Sequence, residues 1–298
     1  MTNQKIMVAG GGVLGSQIAM QVAYHGYKVA LYDINEEAIT HAKERVASLR
    51  EPYKRDIQAT DESFDEALGR LTYTTNMKEA VSDASLVIEA VPEVIKVKVN
   101  FYESLRNVAP AQTIFATNTS TLLPSQFAQA TGRPEKFLAL HFANEIWKNN
   151  TAEVMKHEGT DEQVFQRVIS FARSIGMVAL PLHKEQPGYI LNSLLVPLLD
   201  AAEMLYVNEV ADPYTIDKTW MIATGAPLGP FAILDVVGLQ TAYNIVQMKA
   251  AQSKKDVYIR LATLLKEQYI DKGKLGRASG EGFYKYPNPA FLEEDFLK

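Results

Sequence analysis

Short apolar runs recur along the first 182 residues, separated by stretches whose apolar positions follow a helical spacing. Residues 5–10, 28–33, 86–91, 113–118 and 137–142 read as strands. Residues 13–24, 36–49 and 94–108 read as helices between them. Apolar strands alternating with helices predict βαβ units and a parallel sheet covered on both faces. Two further runs, 152–157 and 177–182, extend that sheet. Residues 36–65 carry many charges and predict two helices turning at Arg50-Glu51-Pro52, either a solvated hairpin or a mobile flap offering Ser48, Lys54 and Arg55 to an anionic ligand.

Beyond residue 182 the alternation stops. A polar turn, residues 183–188, marks a boundary between a first domain, 1–185, and a second, 186–298. Residues 190–207, 213–224, 231–251 and 257–272 all read as helices, with a breaker cluster at 225–230. The fold class is therefore α/β: a doubly wound, Rossmann-like sheet with a helical hairpin inserted, followed by an all-α domain. The stretch 189–207 is apolar enough to raise the question of a membrane. Its Asn192, Ser193, Asp200 and Glu203 would be costly in lipid, so it reads as a buried helix.

Composition narrows the chemistry. The chain has 298 residues, a formal net charge of −5 and no cysteine. There is no basic excess for a nucleic-acid backbone. Thiolate catalysis, disulfides and Cys-ligated metals are excluded, and a reducing cytoplasm is the expected compartment.

Gly10-Gly11-Gly12-Val13-Leu14-Gly15 follows a strand and opens a helix, the context a dinucleotide-binding loop requires. Gly10 serves the tight turn, Gly12 the approach to a pyrophosphate and Gly15 the packing of helix on strand. The helix N-terminus offers N–H groups and a positive dipole to phosphate. Asp33 ends the second strand, placed to bond a ribose diol and to repel a 2′-phosphate, which favours NAD over NADP. Asp33 can also be read as a cap of the following helix.

Ligands of open parallel sheets bind beyond the strands' carboxyl ends. The polar residues there include Glu93, Ser120, His141 and Asn144. Moving a hydride from an alcohol carbon needs a base for the hydroxyl proton, and His suits it near neutral pH. Glu153 follows His141 by 12 residues, which allows adjacent strands and a carboxylate on the second ring nitrogen. A lone His at a strand end is more often a structural residue, and a lone Glu in a strand can face solvent. Asn192 either bonds nearby backbone or holds a substrate carbonyl.

The ordered set Gly10–Gly15, Ile88-Glu89-Ala90-Val91-Pro92-Glu93 with Lys96 and Lys98, and Phe115 to Ser120 carries a resemblance. Leu140-His141-Phe142, Pro187 to Asn192, Gly229-Pro230-Phe231 and Gly280 to Tyr284 complete it. Over nearly its whole length the chain resembles the L-3-hydroxyacyl-CoA dehydrogenase family, which includes 3-hydroxybutyryl-CoA dehydrogenases. The resemblance implies reversible NAD-linked oxidation of an L-3-hydroxyacyl-CoA to the 3-ketoacyl-CoA, in fatty acid metabolism. It implies His141 as base, Glu153 as its carboxylate, and Ser120 and Asn192 as active-site residues. Gly10, Gly12, Val13, Leu14, Gly15 and Asp33 would hold the adenosine side of NAD, and Glu93, Lys98, Ser120 and Asn144 the nicotinamide side. Ser48 and Arg55 of the hairpin would meet CoA. No metal is implied, and a homodimer through the helical domain is.

The chain also departs from the family pattern. The connection between base and carboxylate, Ala143 to Asn150, is polar and holds Trp147. Ser193 stands where the family has Arg after the Asn, and Ala278 where relatives place a Lys, with Arg277 beside it. These changes leave open the same chemistry on a polar compound without CoA, as in gulonate and carnitine dehydrogenases. A silent NAD-binding protein is a third reading.

Overall fold

The computed structural model describes residues 4–298. The first compact unit, Met1–Ile190, holds one eight-stranded sheet. Its elements run β1 (Lys5–Ala9), α1 (Val13–Tyr24), β2 (Lys28–Tyr32), α2 (Glu36–Ser48), α3 (Arg50–Ile57), α4 (Asp61–Leu68) and β3 (Leu71–Thr74). They continue with α5 (Met77–Val81), β4 (Ala84–Glu89), α6 (Ile95–Leu105), β5 (Ile114–Thr117), β6 (Phe137–Phe142), β7 (Thr151–Met155), α7 (Glu162–Ser174) and β8 (Val178–Leu182).

The strand order is β3-β2-β1-β4-β5-β6-β7-β8. The sheet switches direction at β1 and β4, so the loops after them flank a crevice at the carboxyl edge. All pairings are parallel except β6 with β7. The expectation of an all-parallel sheet is corrected there. A short loop cannot make a parallel crossover, so residues 143–150 return the chain antiparallel. That puts His141 directly opposite Glu153 in the register.

Both sheet faces are covered. One carries Ile6, Val8, Leu31 and Ile88 against α1, the hairpin and α7. The other packs Met7, Val87 and Phe115 against α5 and α6. The hairpin has three helices rather than two, and its breaks fall at Leu49 and at 58–60. Pro52 lies in the first turn of α3, where a missing N–H costs nothing, so it does not mark the turn. Asn35 caps α2, and Thr60 with Ser63 forms a capping box on α4. Strand β3 adds to the strands that the pattern predicts; Leu71 is its only buried residue, so no apolar run marks it.

The second unit, Leu191–Lys298, is built on helices. They are the rest of α8 (Tyr189–Val207), then α9 (Pro213–Thr224), α10 (Pro230–Val237), α11 (Leu239–Ser253) and α12 (Asp256–Gln268). The single helix expected over 231–251 is broken by Gly238, whose φ of 93° no helix accepts. The core gathers Leu199, Phe231, Leu234, Leu261 and Phe283. Helix α8 is long and apolar enough to cross a membrane by length and composition, yet only 17% of its apolar window is buried. The expected buried helix is buried on one face only: Leu199, Ala202 and Val207 join the core, while Leu191, Leu194, Val196 and Leu205 are exposed.

Candidate active site

The carboxyl ends of β1, β2, β4, β5 and β6, with β7 beside them, build the site of the first unit. After β1, Gly10 turns at φ 99°, and a Cβ there would sit 2.5 Å from the Ala90 carbonyl oxygen. A Cβ on Gly15 would strike the Gly10 carbonyl, while Gly12 faces open space. Gly12 is the N-cap of α1 without a side-chain cap, and the early N–H groups of a helix lack intrahelical partners. The loop is thus an open cradle with free donors and a helix dipole behind it, which fits a pyrophosphate. The half-buried Asp33 carboxylate accepts from the N–H of Gly11 at 2.7 Å and of Ile34 at 2.7 Å. It therefore braces the loop. Arg45, which sequence reasoning missed, donates to the Gly11 carbonyl at 3.2 Å.

At the end of β4 lies a second missed residue. Glu89 is fully buried and takes Lys98 Nζ at 2.6 Å, the Val91 N–H at 2.9 Å, Thr117 Oγ1 at 2.7 Å and Tyr102 Oη at 3.2 Å. Burial pushes its carboxyl up, opposed by the Lys98 charge. Lys98 is itself buried and reaches Glu93 at 3.2 Å and the Val91 carbonyl at 3.5 Å, so its three donors all have acceptors. Glu93 accepts from the N–H groups of Ser120 and Thr121, both at 2.9 Å, and from the Thr119 hydroxyl. Burial would raise its carboxyl, but the Thr119 bond, the Lys98 charge and Thr121 bring it down to about 2. The chain Glu89–Lys98–Glu93 thereby fixes the 119–121 loop.

That loop carries Ser120, whose Oγ lies 3.1 Å from His141 Nε2. His141 Nδ1 lies 3.0 Å from Glu153 Oε2. A carboxylate offers only acceptors, so Nδ1 donates to Glu153 and Nε2 accepts from the Ser120 hydroxyl. The other oxygen, Oε1, accepts from the Ile190 N–H at 2.8 Å. The Tyr189 ring stacks on the imidazole with centroids 4.5 Å apart. Asn118 Oδ1 takes the Phe142 N–H at 2.9 Å, tying the ends of β5 and β6. A base with a fixed tautomer, an orienting acid and an adjacent hydroxyl can move a proton to or from a hydroxyl substrate.

The remaining expected residues are dispersed. The side chain of Asn144 is exposed, and its carbonyl accepts from Asn149 at 2.8 Å. Asn192 is half-buried on α8 and belongs to the second unit. On the hairpin, Ser48 Oγ donates to the Arg45 carbonyl, and Arg55 forms a two-pronged pair with Asp56 at 2.7 Å. The pairing with Arg55 and a bond from Trp147 Nε1 at 3.0 Å hold the Asp56 carboxyl far below the usual range. Trp147 packs on Tyr53 with centroids 5.2 Å apart, so the loop after β6 is latched to the hairpin. Among the described residues no group of three His, Asp or Glu side chains forms a metal site.

Residues 5–186 match a family model described as 3-hydroxyacyl-CoA dehydrogenase, NAD binding domain, and residues 188–286 the C-terminal domain of the same family. The human mitochondrial hydroxyacyl-coenzyme A dehydrogenase is 35% identical over 286 residues, covering 94% of this chain and 90% of that one. A probable 3-hydroxybutyryl-CoA dehydrogenase of Bacillus subtilis (strain 168) is 32% identical over 289 residues, 96% and 98% of the two chains. A solved diketoreductase, described in terms of dual catalysis of dicarbonyl compounds, is 55% identical with a TM-score of 0.91 and covers 96% and 100%.

Proposed function

The chain belongs to the 3-hydroxyacyl-CoA dehydrogenase family, as an NAD-dependent oxidoreductase, and on that premise we propose how its residues work. The observation that carries the reading is the continuous Ser120–His141–Glu153 hydrogen-bond line. NAD held by the glycine loop would supply the acceptor for the hydride that leaves C3 of the 3-hydroxyacyl group in the oxidising direction. His141 Nε2 takes the hydroxyl proton, and Glu153 stabilises the imidazolium that forms. Ser120 donates to the reacting oxygen once substrate replaces it at Nε2, and Asn192 is the fourth active-site residue. Reduction runs the same transfers backward.

Gly10, Gly12, Val13, Leu14 and Gly15 hold the pyrophosphate, and Asp33 the adenosine ribose. Glu93, Ser120 and Asn144 face the nicotinamide side, where Lys98 acts through Glu93. Ser48 and Arg55 meet the CoA part of the substrate. Residues 1–185 form the cofactor domain and 186–298 the substrate and dimerisation domain. A homodimer covering the exposed apolar residues of α8, in the cytoplasm and in fatty acid metabolism, completes the reading. The test is reduction of acetoacetyl-CoA with NADH. Turnover with NADH well above NADPH is expected, and equal use of NADPH would overturn the role of Asp33. A monomer in sedimentation would overturn the dimer.

A second reading keeps the chemistry and removes CoA. It is favoured by the Trp147–Asp56 latch, in which Asp56 neutralises Arg55, and by the 55% identity to a diketoreductase. Here the substrate is a small polar dicarbonyl or hydroxy compound. A panel of 3-hydroxyacyl-CoAs, 1,3-diketo esters, L-gulonate and L-carnitine at fixed NAD separates the two by kcat/KM. No turnover of any of them would leave a silent NAD-binding protein.

A further inference from the structure

The turn leading into α8 does two things beside His141. Gly188 adopts φ 79° and Tyr189 φ 57°. A left-handed backbone is natural for glycine and uncommon for tyrosine, so packing must hold it. Tyr189 is 1% exposed and sits among Leu123, Ala139, Met155 and Leu182. Its N–H donates to the Gln186 carbonyl, and the Gln186 N–H meets Met155 Sδ at 3.2 Å. The resulting turn lays the Tyr189 ring over the imidazole at an interplanar angle of 26°. It also aims the next N–H, that of Ile190, at Glu153 Oε1.

We infer that Tyr189 is a positioning residue whose ring face steadies His141 and favours its protonated form during turnover, while its left-handed backbone orients Glu153. This rests on the reading of His141 as the base. Imidazole in transit carries charge spread over its ring. Glu153 meets that charge only at the Nδ1 edge, in the ring plane. An aromatic face at 4.5 Å meets it from above, where the negative side of the π quadrupole attracts a cation. The groups facing the pair are Glu153 from β7, Ser120 after β5, Glu89 and Glu93 at the end of β4, and Glu185 from the turn. Lys98 already pairs with Glu89 and Glu93, so the ring is the added partner that His141 itself touches.

The experiment is the pH dependence of kcat/KM for oxidation of (S)-3-hydroxybutyryl-CoA by NAD, in Tyr189→Phe, Tyr189→Leu and Tyr189→Gly. Phe keeps the ring, Leu keeps bulk without a π face, and Gly keeps the left-handed backbone without a side chain. The Phe profile should overlay the parent. The ascending limb of the Leu and Gly profiles should move to lower pH by about half to one unit, with NADH affinity unchanged. Should the Leu variant fail to fold, the Gly variant, whose backbone suits the turn, gives the same reading. Leu and Gly profiles that overlay the parent, or a Phe profile that shifts like theirs, would overturn the inference. His141→Ala run alongside separates the two claims: its inactivity keeps the base assignment, and its full activity removes the base and this inference together.

Discussion

In the first unit the buried carboxylates Glu89 and Glu153 face partners that carry or exchange a proton, Lys98 and His141. In the second, Asp217 and Asp235 face only backbone N–H groups and tyrosine hydroxyls. Asp217 accepts from Phe231 and Ala232 at the start of α10 and from Tyr284 Oη. Asp235 accepts from the N–H groups of Phe283 and Tyr284 and from Tyr286 Oη. Burial raises both carboxyls, and those bonds oppose it. Fixed amide donors have no proton to exchange, so such a carboxylate acts as a staple between distant segments. A Cβ on Gly229 or Gly282 would collide with the staple, which explains glycine there. Burial alone therefore does not mark chemistry; the nature of the partner does.

Breaking the Lys98 side should have the largest effect on stability. Lys98→Met leaves Glu89 as an unpaired buried charge and should cost about 3–5 kcal/mol, seen as a lower denaturation midpoint. It should also weaken NADH binding through the freed 119–121 loop. Asp217→Ala orphans three donors in the other unit and should cost about 2–3 kcal/mol. Its kcat per folded molecule should stay at the parent value, and a changed kcat would dissolve the contrast between the units.

Glu203 sharpens the comparison from a third side. It is 5% exposed on α8, and its Oε1 meets no hydrogen-bond partner. Burial, opposed by Lys249, raises its carboxyl to about 7 from 4.5. A raised acid binds its proton more tightly when folded, so its contribution to stability is full below pH 4.5 and is lost as pH rises through 7. Glu203→Gln should accordingly be more stable than the parent at pH 8.5, by about 1–3 kcal/mol, and the difference should close near pH 4.5. Thermal midpoints at the two pH values measure it. Tyr284→Phe removes one of three donors from Asp217 and should cost about 0.5–1.5 kcal/mol, the smallest change of the set.

Much of this was legible in residue order. The strands at 5–10, 28–33 and 137–142 announce themselves by apolar runs, and helices 13–24 and 213–224 have the bounds their patterns predict. The glycine loop carries its own steric reasons. The rest is tertiary. Glu89 looks like one more polar residue at a strand end, and only the sheet shows it enclosed by Lys98, Tyr102 and Thr117. The register that sets His141 against Glu153 depends on β7 running antiparallel, which a run of five residues does not declare. Tyr189 lies in a turn whose left-handed backbone follows from packing, and Trp147 meets Asp56 across 91 residues of chain. The apolarity of 189–207 is visible in the sequence, but which face of the helix meets the core is not.

The central claim is that Glu153 and His141 work as a proton-carrying pair. It is tested most directly by kcat for acetoacetyl-CoA reduction by NADH in Glu153→Gln, with His141→Ala beside it and NADH affinity measured on the same samples. A fall of about 10²–10⁴ in kcat with NADH affinity retained is predicted for each. A Glu153→Gln variant that keeps near-parent kcat would contradict it and reduce Glu153 to a staple like Asp217.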